Sequence, residues 1–195
     1  MNFDQAEGYE DVLDISGTGI MGYMEIEKIG VSLPIYHGTS DSVLNVAIGH
    51  VEGTSLPTGG PGCHSVFSAH RGLPSARLFS DLDKLELGDT FVITVLDRKM
   101  TYMVDQILIV EPYDVSALAI QEGQDYCTLV TCTPYGINSH RILVRGFRTD
   151  NAPEAHQVRV TPDAQQIRPV LVAPVLAVPI LLVLLLILLI KQRKK

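Results

Sequence analysis

Cysteine is scarce in this chain. Its 195 residues contain three, Cys63, Cys127 and Cys132. An odd count leaves at least one thiol unpaired within the chain. So few cysteines argue against a disulfide framework and are compatible with one thiol kept as a nucleophile. Surplus positive charge is also missing. The formal net charge is −7, and −11 once the four cations of the last five residues are set aside. An acidic domain is a poor partner for a phosphate backbone, so no nucleic acid is expected. Cys63, His64, His70, Cys127 and Cys132 are soft ligands, but their spacing matches no zinc pattern, and no metal or cofactor is expected. There is no internal repeat. Met1-Asn2-Phe3-Asp4-Gln5 is polar and acidic, with no basic flank and apolar stretch of the kind that marks a secretory leader.

Long apolar sequence is confined to one place. Residues 170–190 carry no charge and are mostly Leu, Val and Ile. At 1.5 Å per residue they span roughly 31 Å, enough to cross a hydrocarbon core. Pro174 and Pro179 would break a soluble helix, whereas neighbouring groups can accommodate them in a membrane span. The tail Lys191-Gln192-Arg193-Lys194-Lys195 is basic, which places it in the cytoplasm and residues 1–169 outside. The expectation is a single-pass membrane protein, anchored at its C-terminus, with an extracellular domain. Such a domain normally needs an export signal, so the true N-terminus is expected upstream of Met1.

The remaining sequence reads as β-rich. A short helix is expected over 9–15. Strands are expected over 21–29, 31–36, 65–69, 90–96, 100–110, 126–132 and 141–149. Residues 52–61 are rich in Gly, Pro, Ser and Thr and read as a loop. Leu78, Phe79, Leu82 and Leu85 recur at helical spacing, which predicts a helix over 73–85. Residues 111–125 read as loop with one helical turn. Seven or eight short strands with few helices imply an all-β, closed or nearly closed barrel, since closure removes exposed strand edges. The organisation expected is an N-terminal segment (1–19), a barrel (20–150), a linker (151–169), a transmembrane helix (170–190) and a basic tail (191–195).

The chemistry concentrates where Thr128-Leu129-Val130-Thr131-Cys132-Thr133-Pro134-Tyr135-Gly136 leads into Asn138-Ser139-His140-Arg141-Ile142-Leu143-Val144. One β-rich run stops at a cysteine, a Pro-Gly turn follows, and the next run opens with an arginine. If the runs pair across that turn, Cys132 and Arg141 lie side by side at a sheet edge. A thiolate forms more readily near positive charge, and a tetrahedral oxyanion needs donors aimed at it. His70, in Ser68-Ala69-His70-Arg71-Gly72, also ends a strand at a glycine turn. With Cys132 and Arg141 it would complete a set for acyl transfer: nucleophile, general acid/base, and oxyanion or substrate stabiliser. The bland alternatives are a buried structural cysteine and a satisfied surface histidine. His37, His50, His64 and His140 read as structural or surface residues.

The ordered blocks of this chain resemble the sortases, and among them the class C, pilin-polymerising branch. The blocks are Gly22-Tyr23-Met24-Glu25-Ile26, Lys28-Ile29-Gly30-Val31 and Leu33-Pro34-Ile35-Tyr36-His37-Gly38-Thr39, followed by Gly49-His50 and Glu52-Gly53-Thr54-Ser55-Leu56-Pro57. His70-Arg71-Gly72-Leu73-Pro74-Ser75-Ala76 comes next, then residues 128–136 and 140–146. The resemblance implies an eight-stranded sortase β-barrel with short helices, beside the C-terminal transmembrane helix. It implies Cys132 as nucleophile, His70 as general acid/base and Arg141 as oxyanion or substrate stabiliser. The implied reaction cuts a Leu-Pro-x-Thr-Gly-like sorting signal after threonine and passes the acyl group to a pilin lysine. The alternatives are anchoring of surface proteins to cell-wall peptide, or a silent barrel used as a scaffold. Class C members usually carry an N-terminal lid with an Asp-Pro-aromatic motif, which is not found here. Phe3 falls near the expected lid aromatic, so Met1 to Gln5 reads as the lid's cut end.

Overall fold

Alternation of apolar and polar residues gives strands one buried face, and this chain closes that face into a barrel. The computed structural model describes residues 8–14, 17–72 and 77–150. Eight strands follow in order: β1 Ile20–Ile26, β2 Val31–His37, β3 Ile48–His50, β4 Cys63–Ser68, β5 Thr90–Val95, β6 Arg98–Val110, β7 Asp125–Thr133 and β8 His140–Thr149. They close in the spatial order β1-β2-β3-β4-β7-β8-β6-β5. The β2–β3 and β4–β7 pairs are parallel and the rest antiparallel. One short helix, α1 Asp41–Leu44, precedes β3, and 3-10 turns occupy Tyr9–Asp11, Glu27–Ile29, Leu82–Lys84 and Ser116–Leu118.

The core is filled by alternate positions of each strand. Phe91, Ile93 and Val95 of β5 and Met100, Tyr102 and Val104 of β6 all point into it. In β7 the inward positions are Cys127 and Leu129, and in β8 they are Ile142 and Val144. The intervening residues, including Cys132 and Arg141, therefore belong to the other face. A register shift between Val104 and Gln106 leaves Asp105 without a strand partner. Such a bulge re-aims a side chain. The Asp105 carboxylate accepts from Arg145 Nε at 3.1 Å and Nη2 at 2.7 Å, and the Arg145 guanidinium lies 4.2 Å from the Tyr126 ring centre.

Apart from shortened elements, with the expected strand 21–29 ending at Ile26 and the expected helix 9–15 reduced to the 3-10 turn Tyr9–Asp11, two expectations differ from what is found. The helix expected over 73–85 is not formed across residues 77–85, where turns lead into the 3-10 turn Leu82–Lys84. Leu78, Phe79, Leu82 and Leu85 are buried as their spacing predicts. However, Leu78 sits at φ 39°, outside the right-handed helical region, and the Phe79 N–H donates to the His70 carbonyl at 3.1 Å instead of to a helical partner. The second difference is β3, three residues long and absent from the expected strands. Its pairing with β2 and β4 makes it a strand, not its own pattern. The expected transmembrane helix, linker and tail, and the lid end at residues 1–5, lie outside the described residues.

Candidate active site

Strand register alone brings Cys132 and Arg141 together. They are direct partners in the β7–β8 ladder, with Val130 opposite Leu143 and Thr128 opposite Arg145 along the same face. On the other side of β7, β4 runs parallel, with Ser68 opposite Val130. Two residues further along each chain stand His70 and Cys132. The pairing continues past the end of β4: the Ala69 N–H donates to the Val130 carbonyl at 3.3 Å, and Thr131 Oγ1 donates to the Ala69 carbonyl at 2.8 Å. Neighbouring strands lie about 4.8 Å apart. Cys132 is therefore flanked by the strand end that carries His70 and the strand start that carries Arg141. All three residues are half-buried.

Arg141 is held by its own turn. Its Nη1 donates to the carbonyls of Asn138 (3.2 Å) and His140 (3.0 Å). Its other donors have no hydrogen-bond partner among the described residues, so part of the fork is free for an incoming oxygen. His140 pairs with Thr133 rather than with the cysteine and reaches Glu111 at 3.3 Å, on the edge away from Cys132.

Cys127, His64 and His50 have structural places. All three thiols are free. Cys127 is fully buried, which pushes its thiol well above the usual range, with the Asp125 carboxylate adding to the effect. His64 Nε2 meets Thr128 Oγ1 at 2.7 Å, and its Nδ1 meets the Ala119 carbonyl at 3.1 Å. His50 lies between the Tyr9 hydroxyl and the Ser55 carbonyl. Burial lowers the pKa of both rings, and their carbonyl partners oppose that shift.

One cluster beneath the three residues was not legible beforehand. Arg71 follows His70, and its side chain is only 9% exposed. Its Nη2 meets an Asp83 carboxylate oxygen at 2.6 Å, and its Nη1 donates to Thr133 Oγ1 at 3.4 Å. Its guanidinium carbon lies 6.0 Å from the Tyr135 ring centre. Its Nε is buried without a hydrogen-bond partner, and an unpaired buried donor costs about 1–3 kcal/mol. Gly72, at φ 80°, lets Tyr135 lie against the backbone; a Cβ there would come within 2.6 Å of the ring. The only signal in the sequence was adjacency, since Arg71 follows the expected acid/base and Thr133 follows the expected nucleophile.

Residues 24–149 match the Sortase domain. The chain belongs to the sortase family. It is 30% identical over 130 residues to sortase D of Bacillus subtilis (strain 168), covering 65% of this chain and 63% of that protein. The chain spans less than two thirds of the length of the curated relatives it matches. Among solved structures, its barrel is similar to that of sortase C1 from Streptococcus agalactiae at 58% identity and a TM-score of 0.73, covering 74% of this chain and 75% of that one. It is also similar to sortase C of Streptococcus pneumoniae at 50% identity and a TM-score of 0.72, covering 77% and 76%. The sortase barrel thus places a half-buried cysteine, Cys132, near the end of β7, with Arg141 as its partner in β8 and the strand end that carries His70 on its other side.

Proposed function

We propose that this sortase is a membrane-anchored cysteine transpeptidase that polymerises pilins. Cys132 is the nucleophile, His70 the general acid/base, and Arg141 the oxyanion or substrate stabiliser. The observation that carries the reading is the register pairing of Cys132 with Arg141, with His70 at the end of the next strand. The identity of 58% to a sortase C1 favours the pilin branch, as does the S. pneumoniae relative, whose structure was described in terms of pilin substrate specificity.

The Cys132 thiolate attacks the threonine carbonyl of a Leu-Pro-x-Thr-Gly-like signal. The developing oxyanion takes hydrogen bonds from Arg141, whose charge is permanent and whose donors are forked. The C–N bond to glycine breaks as the His70 imidazolium gives its proton to the leaving amine, which leaves a thioester and a neutral imidazole. A pilin lysine then attacks the thioester carbonyl. Its amine has a reference pKa near 10.4, so only the small neutral fraction is nucleophilic at neutral pH, and neutral His70 takes the one proton the nitrogen gives up as the new C–N bond forms, which restores the imidazolium. The thiolate departs and an isopeptide bond remains. Residues 170–190 anchor the enzyme, with the barrel outside the membrane and the tail of residues 191–195 in the cytoplasm.

The test uses Cys132→Ala in the full chain. The variant should lose cleavage of a Leu-Pro-x-Thr-Gly peptide and labelling by a thiol reagent at this position. Cleavage that survived would refute the nucleophile assignment and favour a scaffold barrel. With the wild-type protein, a ladder of lysine-linked pilins supports polymerisation. Product found only on cell-wall peptide would replace it with surface-protein anchoring.

A further inference from the structure

We propose that Arg71 is a positioning residue that keeps His70 beside Cys132; this rests on the roles proposed above for those two. Arg71 follows His70 and Thr133 follows Cys132, so the Arg71–Thr133 hydrogen bond is a rung directly behind the reacting pair. Ahead of His70, Ala69 is bonded to Val130 and Thr131 of β7; beyond it the chain is irregular, since β4 stops at Ser68. Three contacts from residues 79–83 hold it. The Phe79 N–H donates to the His70 carbonyl, Ser80 Oγ accepts from the Gly72 N–H at 3.0 Å, and the Asp83 carboxylate takes Arg71 at 2.6 Å. Ala69 ties the chain to β7 on the near side of His70; on the far side, among the described residues, the Arg71 side chain extends this grip to the strand that carries the cysteine.

Stability alone does not account for an arginine at this place. Burying a guanidinium against a single carboxylate whose side chain is 45% exposed gains little over an apolar side chain of similar volume. The buried, unpartnered Nε lowers the gain further. What the fork adds is geometry: one rigid plane reaches Asp83 and Thr133 together. A lysine can reach either but cannot hold both at fixed angles.

The experiment measures hydrolysis of a quenched-fluorescence Leu-Pro-Ala-Thr-Gly peptide by the full chain. Rates are expressed per titratable Cys132, for wild type, Arg71→Ala, Arg71→Lys, Thr133→Val and the Arg71→Ala/Thr133→Val double variant. Misplacing a catalytic pair by about 1 Å costs about 100-fold. Arg71→Ala should therefore lower kcat about 100-fold with KM unchanged within about threefold. Thr133→Val loses one hydrogen bond and should lower kcat about fivefold. The double variant should be no slower than Arg71→Ala, and Arg71→Lys should fall between Arg71→Ala and wild type. A kcat for Arg71→Ala near wild type, or a loss confined to KM or to the fraction of titratable thiol, would overturn the proposal. If Arg71→Ala does not fold, Arg71→Lys and Thr133→Val decide, and wild-type kcat in both overturns it. Cleavage persisting in Cys132→Ala sinks the underlying reading instead, so the two failures are distinguishable.

Discussion

The Tyr9 hydroxyl meets His50 Nδ1 at 2.8 Å across 41 residues of sequence. The same oxygen accepts from the Gly38 N–H at 3.0 Å. His50 Nε2 donates to the Ser55 carbonyl at 2.9 Å, so in a neutral ring Nδ1 is the acceptor and the tyrosine the donor. His37 Nε2 donates to the Val12 carbonyl at 2.7 Å. Together these bonds strap the N-terminal turn across the ends of β2 and β3. Burial pushes the Tyr9 hydroxyl up to about 12, so it stays protonated and donating.

Tyr9→Phe keeps the ring and removes the hydroxyl. It leaves His50 Nδ1 and the Gly38 N–H without their partner, at a cost of about 1–3 kcal/mol. A urea melt should show a lower midpoint with an unchanged slope. Equal midpoints would mean that the strap contributes nothing to stability.

Acid should weaken this barrel before its carboxylates titrate. Burial lowers the pKa of His50 and His64 below the unfolded value near 6.5. The unfolded chain therefore binds more protons as pH falls through that value. The contribution of the neutral rings is complete above about pH 6.5 and is lost below it. Thermal melts should give a lower Tm at pH 5.5 than at pH 7.5. The difference should shrink in His64→Gln, which cannot charge. An equal pH slope in that variant would assign the effect to other groups.

Arg141→Lys should fold as wild type does and turn over about 100-fold more slowly, because a point charge cannot replace a fork aimed at an oxyanion. Circular dichroism checks the first statement and initial rates on the sorting peptide check the second. Lysine at wild-type rates would remove the role given to Arg141.

Cys127 should be inert in the native state. It is fully buried and its thiol is pushed well above the usual range, so thiolate is scarce and access is closed. Brief alkylation followed by peptide mass spectrometry should label Cys132 and leave Cys127 unmodified until denaturant is added. Native labelling of both at one rate would contradict this burial.

Much of the barrel was legible from period-two alternation. β5, β7 and β8 lie within a residue or two of where alternation and turn residues put them. The Cys132–Arg141 pairing followed from two β-rich runs with a Pro-Gly turn between them. β3 was not legible, because three residues carry no period. The helix expected over 73–85 misled for the opposite reason: the spacing is helical, but within residues 77–85 Phe79 and Ser80 bond to the His70 loop.

From its sequence alone this protein determined a β-rich barrel and the neighbourhood of Cys132 and Arg141, because cross-strand register over a short turn is local. Only the tertiary structure decided that β4 lies parallel to β7, that His70 therefore flanks the same cysteine, and that Arg71 sits behind both. Those placements depend on closing the barrel over some sixty residues of intervening chain, and barrel closure is a property of all eight strands together.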